Sequence, residues 1–69
     1  MTDTELLMTT IRDKGMSLAY VANKMNLSRY GLYKKIHNQS YFNIYEVDQM
    51  CKLLSIKSMK DKERIFFAK

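Results

Sequence analysis

Apolar residues recur at helical spacing along this chain, and each burst is opened by a polar residue of the capping type. In the most regular burst, Leu18, Val21, Ala22 and Met25 stand at i, i+3, i+4 and i+7, one stripe of a 3.6-residue helix. Ser17 before them is a natural N-cap, and Met16 is placed to staple onto Val21. The same grammar follows at once: Leu27 precedes the cap-type Ser28 and stands five residues before Leu32. A second helix is therefore predicted over about 29–38, with Leu32 and Ile36 turned inward. Asn26 falls where the chain must turn, and Asn is the best non-glycine occupant of the left-handed conformation that such turns use. Two short helices joined by a tight turn make a helix-turn-helix.

The flanks read in the same way. Thr2 or Asp3 caps a first helix over about 3–14, with Thr2 and Glu5 as a capping box; Leu7 and Ile11 share its buried face, helped by Leu6 or Met8, and Gly15 stops it. Later in the chain Phe42 can staple to Val47 while Asn43 and Glu46 form a capping box, so a further helix begins at Ile44. Its stripe is Ile44, Val47, Cys51 and Leu54, widened by Met50 and Leu53, with Cys51 a small buried residue. Ser58 and Asp61 open a last helix over about 59–66. Ile65, Phe66 and Phe67 then present three large apolar side chains that must be covered, either by this core or as a dimer contact with a second copy. The pattern predicts an all-α fold, a compact bundle of four to five short helices, in one domain spanning 1–69.

Composition narrows the class. Sixty-nine residues without a linker-like stretch lie near the lower limit for an unaided core. A single cysteine excludes an internal disulfide framework. No apolar run approaches the roughly 20 residues of a membrane span, and the start carries Asp3 and Glu5 in place of a basic signal region. A cytoplasmic chain with no membrane partner is expected.

The net charge of +5 is unevenly spread. Residues 1–13 hold three acids and one base, residues 46–69 four acids and six bases, and residues 14–45 five bases and no acid. An acid-free span that coincides with the helix-turn-helix is what a phosphate-facing surface requires. Taken alone, the charge is equally well a solvated basic face; its coincidence with the motif favours nucleic acid.

Side chains capable of that chemistry follow from the helical wheel. With Leu32 and Ile36 inward, Arg29, Tyr30, Tyr33 and Lys34 fall on the opposite side. Arg29 suits the O6 and N7 edge of guanine. The tyrosines offer a hydroxyl and a ring edge for a thymine methyl, with partial core burial the competing expectation for Tyr33. Gly31 is unusual inside a helix; close backbone approach and simple tolerance both account for it. Lys14, Lys24, Lys35, His37, Asn38, Gln39 and Ser40 form basic and polar helix ends suited to phosphate contacts. Ser17 serves as a cap and as a phosphate contact at a helix start. Tyr41 and Tyr45 either touch the sugar-phosphate backbone or pack. A lone His37 has no second ligand with which to hold a metal.

At this point the stretch SLAYVANKMNLSRYGLYKKIHN resembles the signature of the phage Cro and repressor class of helix-turn-helix proteins, the XRE family. Ala22 stands at its small position, Asn26 at its usual turn glycine, and Leu27, Leu32 and Ile36 at its apolar positions; the later F-N-x-x-E start and the ERIFFA ending also resemble short phage relatives. The resemblance implies a double-stranded operator DNA partner, usually met by a homodimer on a palindrome, and a role in transcription regulation. By position it places base reading on Ser28, Arg29, Tyr30, Tyr33 and Lys34, and phosphate contacts on Ser17, Asn38 and the following loop. Asn26 and Gly31 depart from the family pattern.

An enzyme is not expected, because the chain supplies no nucleophile with a base, no placed carboxylate pair, no metal cluster and no glycine-rich phosphate loop. No cofactor, metal or small-molecule substrate is expected either. Two other functions fit the same residues. One is a protein-binding module, such as an antitoxin or phage-host adaptor using Ile65, Phe66 and Phe67; the other is an excision or recombination directionality factor that bends its DNA.

Overall fold

The computed structural model describes residues 1–69 and holds five α-helices in chain order: α1 (Thr4–Asp13), α2 (Leu18–Lys24), α3 (Arg29–Ile36), α4 (Ile44–Leu53) and α5 (Met59–Phe66). The all-α class and the short-helix bundle agree with the apolar pattern. Each helix starts at a side-chain cap. Asp3, Ser17, Ser28, Asn43 and Ser58 all accept a hydrogen bond from a first-turn backbone N–H, and Asn43 with Glu46 completes the expected capping box. Thr2 is no part of a cap. It is buried, its own backbone N–H and carbonyl bonded to the Asn38 side chain, so Asp3 takes the capping role and no Thr2–Glu5 box forms.

The helix ends share one device. Gly15, Asn26, Asn38 and Ser55 have left-handed backbones, with φ of +72, +58, +63 and +57°. Behind each, the next N–H reaches back five residues: Met16 to the Ile11 carbonyl, Leu27 to Ala22, Gln39 to Lys34 and Ile56 to Cys51. This is the Schellman closure, which satisfies carbonyls left free at a helix end. In the first two linkers the same apolar residue then immediately precedes the next cap, Met16 before Ser17 and Leu27 before Ser28. One side chain thus seals the end of one helix and the start of the next, and α2 and α3 need only Met25 to Ser28 between them. The left-handed turn at Asn38 also ends α3 two residues sooner than its apolar spacing predicts.

Thirteen apolar residues form the core, with Leu7, Val21, Leu32, Ile36, Met50 and Leu54 fully enclosed. Met16, Leu27 and Phe42, the expected staples, pack against it. Two expectations are corrected. Ile44, assigned to the buried stripe of α4, is 72 % exposed. It is the first helical residue and lines an open concavity with Met59, Lys62, Glu63 and Phe67, while Phe42 meets Phe66 edge-on at 5.6 Å. Ile65 and Phe66 lie inside the core and are not free for a dimer contact; only Phe67 of that trio is exposed. The start of the chain locks α5 in place, through the Asp3 N–H to the Ile65 carbonyl at 2.7 Å and the Met1 ammonium to the Ala68 carbonyl at 3.0 Å. No helix is long and apolar enough to cross a membrane.

Candidate nucleic-acid interface

Complete burial of Leu32 and Ile36 orients α3. Arg29, Tyr30 and Tyr33 project outward and are exposed, and Lys34 is half-buried beside them. Tyr30 and Tyr33 lie nearly parallel with centroids 6.4 Å apart, and the His37 ring lies 4.1 Å beyond Tyr33. The result is a row of three rings along the exposed face. Tyr33 is therefore not a core residue. Lys34 Nζ stands 5.5 Å from the Tyr30 ring, and Lys24 Nζ of α2 stands 5.6 Å from the Tyr20 ring. Both ammonium groups lean on an aromatic face, which restricts long side chains without neutralising them. Arg29 has no ion-pair partner.

At the start of the helix Ser28 accepts from the Gly31 N–H at 2.9 Å. A Cβ on Gly31 would come within 3.1 Å of that same Ser28 Oγ. That contact is tight but involves only a side-chain hydroxyl, and the same cap bond is made to Tyr20 over Ser17 and to Glu46 over Asn43, so the cap does not require the glycine.

The far end of α3 is held from two sides. Thr4 of α1 donates its hydroxyl to the Ile36 carbonyl at 2.7 Å, satisfying an acceptor at the helix end. The Asn38 amide spans Thr2, accepting from its N–H at 2.8 Å and donating to its carbonyl at 2.9 Å. From the other side, Lys35 Nζ donates to the Tyr41 carbonyl at 2.8 Å and to Glu46 Oε1 at 3.0 Å, with the Lys35 and Glu46 side chains only 17 % and 15 % exposed. That Glu46 oxygen also accepts from the Asn43 N–H, so the cap of α4 and the tether of α3 share one atom. These bonds hold the C-terminal half of α3 and leave its N-terminal half as the presented surface.

The expected phosphate contacts divide accordingly. Lys24, His37 and Gln39 are exposed around the α2–α3 face, and Ser17 keeps its hydroxyl at the start of α2 while accepting from the Tyr20 N–H. Lys35 and Asn38 are turned into the fold and spend their polar atoms on Glu46, Tyr41 and Thr2. Lys14 lies elsewhere, lining a concavity with Asp61 and Arg64 on the α1–α5 side. Ser40 lines a different concavity with Met1, Thr2 and Phe67. Glu46 thus reaches into the acid-free span and cancels one of its five bases, leaving Lys24, Arg29 and Lys34 clustered on α2 and α3. The Thr2–Asn38 and Lys35–Glu46 links join residues far apart in the chain, and no local pattern announces them. Cys51 lies remote from this face, and burial raises its thiol above the ordinary value, with nearby Lys62 opposing and Asp48 adding to the shift. No protein-family model, curated protein or solved structure matches the chain.

Proposed function

We propose that this chain is a sequence-specific double-stranded DNA-binding regulator of transcription, of the Cro or repressor type, that inserts the N-terminal half of α3 into the major groove. One observation carries the reading: Ser28, Arg29, Tyr30, Tyr33 and Lys34 stand together on the exposed side of a helix whose opposite side and far end are rigidly held. Fixing the helix before binding lowers the ordering cost of placing side chains against base edges. Arg29, in the first turn and unpaired, supplies a two-pronged donor for guanine. The Tyr30 and Tyr33 ring edges supply apolar contact for thymine methyls, and their hydroxyls donate or accept at neighbouring bases. Lys34, which the resemblance assigns to base reading, leans back on the Tyr30 ring and so, with Lys24 and Ser17 at the start of α2, suits the phosphates beside the groove, where they set position and not sequence.

Amide chemical shifts recorded while a mixed-sequence duplex is added test the interface and require no defined operator. The largest changes are expected at residues 17–20 and 28–34. Changes centred on α5, with α3 unmoved, would reject the assignment.

A further inference from the structure

Two concavities run into one another along the side where α4 meets α5. One, of about 380 Å³, has Lys52, Lys57, Met59 and Lys62 among its walls. The other, of about 340 Å³, is lined by Ile44, Met59, Lys62, Glu63 and Phe67. Met59 and Lys62 belong to both, so the two form one groove with a basic end and an apolar end. Ile44, Met59 and Phe67 are each more than half exposed, and apolar surface gathered in this way marks a contact with a partner.

The charges select the occupant. Asp48, in the wall of the first concavity, is tied to Lys52 at 3.2 Å. Lys57 and Lys62 form no ion pair within the chain, whose other pairs are Lys35–Glu46 and Arg64–Asp61. A nucleic acid would meet these lysines but leave Ile44, Met59 and Phe67 facing water. A second copy of the chain would bring to the groove one free carboxylate, Glu63, for two free ammonium groups. A segment that carries carboxylates beside a row of apolar side chains satisfies both ends at once. We infer that another protein docks an acidic amphipathic helix here, with its apolar side chains on Ile44, Met59 and Phe67 and its carboxylates on Lys57 and Lys62. The inference does not rest on the DNA assignment, because the groove shares no residue with the α2–α3 face.

A synthetic helical peptide tests it, with leucines at i, i+3, i+4 and i+7 and glutamates along one edge of that stripe, added to the full chain while amide chemical shifts are recorded. Saturable changes are expected at Ile44, residues 57–63 and Phe67, with α3 unmoved. Replacing every glutamate of the peptide by glutamine should weaken binding at least about tenfold. Lys57→Glu with Lys62→Glu should weaken it by a similar factor, as should Ile44→Gln with Phe67→Gln. These side chains lie outside the core, so both variants should keep the helical spectrum. Arg29→Ala with Lys34→Ala should bind the peptide as the wild type does, which separates this outcome from the fate of the DNA reading. No saturable binding, changes centred on α3, or affinity indifferent to either pair of substitutions would overturn the inference. So would a mixed-sequence duplex that moves Lys57 and Lys62 as far as it moves α3, which would make the groove a nucleic-acid surface. A dimer in sedimentation velocity that Ile44→Gln with Phe67→Gln disrupts would overturn it too, by making a second copy the occupant.

Discussion

Residues of one chemical type do different work here according to where the helix points them. Lys34 and Lys35 are neighbours in the same turn of α3, yet Lys34 leans on an exposed tyrosine ring while Lys35 is drawn inward to Glu46 and the Tyr41 carbonyl. Lys35→Met should leave Glu46 short of a partner and lower unfolding stability by about 1–3 kcal/mol in urea titration. It should leave the salt dependence of DNA binding at its wild-type slope. Lys34→Ala should do the reverse, leaving stability unchanged and reducing the slope by about one counterion. Cys51 offers a second contrast, since burial raises its thiol above the ordinary value and leaves little of it exposed. At neutral pH a thiol reagent should modify it only as fast as the fold opens, and much faster in urea; equal rates would show that the core is loose around α4. The outward placement of Tyr30 and Lys34 is legible in the sequence, because burial of Leu32 and Ile36 dictates it; Arg29 stands three and seven residues before that pair, on their side of the wheel, and is exposed as the first residue of the helix. The inward turn of Lys35 and Asn38 is not legible there. Both depend on partners supplied by α4 and the chain start, and a helical wheel carries no information about what lies beyond its own end.

At the scale of elements, the capping grammar is the most informative feature. Ser17, Ser28, Asn43 and Ser58 each stand where a polar residue precedes an apolar repeat, and each caps its helix. Stops are less evident, since left-handed Asn38 and Ser55 look like ordinary polar residues until the Schellman bonds behind them are seen. First-turn positions are the weak point of the apolar stripe: Ile44 has the right spacing but is left exposed. The turn between α2 and α3 rests on Asn26 at φ +58°. Asn26→Ala should cost about 1–2 kcal/mol, because a Cβ without a local hydrogen-bonding group is penalised in that region. Asn26→Gly should be close to neutral by the same urea titration. If alanine were tolerated equally, the turn would not depend on left-handed geometry.

For the molecule as a whole, most of the exposed large apolar residues fall into two separate faces. One combines tyrosines with unpaired cations on α2 and α3; the other combines methionine, isoleucine and phenylalanine with charged side chains at α4 and α5. The net charge of +5 favours encounter with a polyanion from any direction, so affinity for DNA in general says little about the orientation of α3. Specificity is the more demanding property. The Phe67 face itself is only partly legible in the chain, since the apolar ending is visible there but the burial of Ile65 and Phe66 and the approach of Ile44 and Met59 arise from tertiary packing.

Base reading by α3 can be decided by selecting bound duplexes from a random pool at near-physiological salt, in parallel with wild type and Arg29→Ala. The wild type should enrich a defined motif containing guanine, and Arg29→Ala should bind that motif about 1–3 kcal/mol more weakly with preference lost at the guanine. Enrichment of no motif, or a motif that Arg29→Ala recovers unchanged, would show that α3 does not read the bases through Arg29.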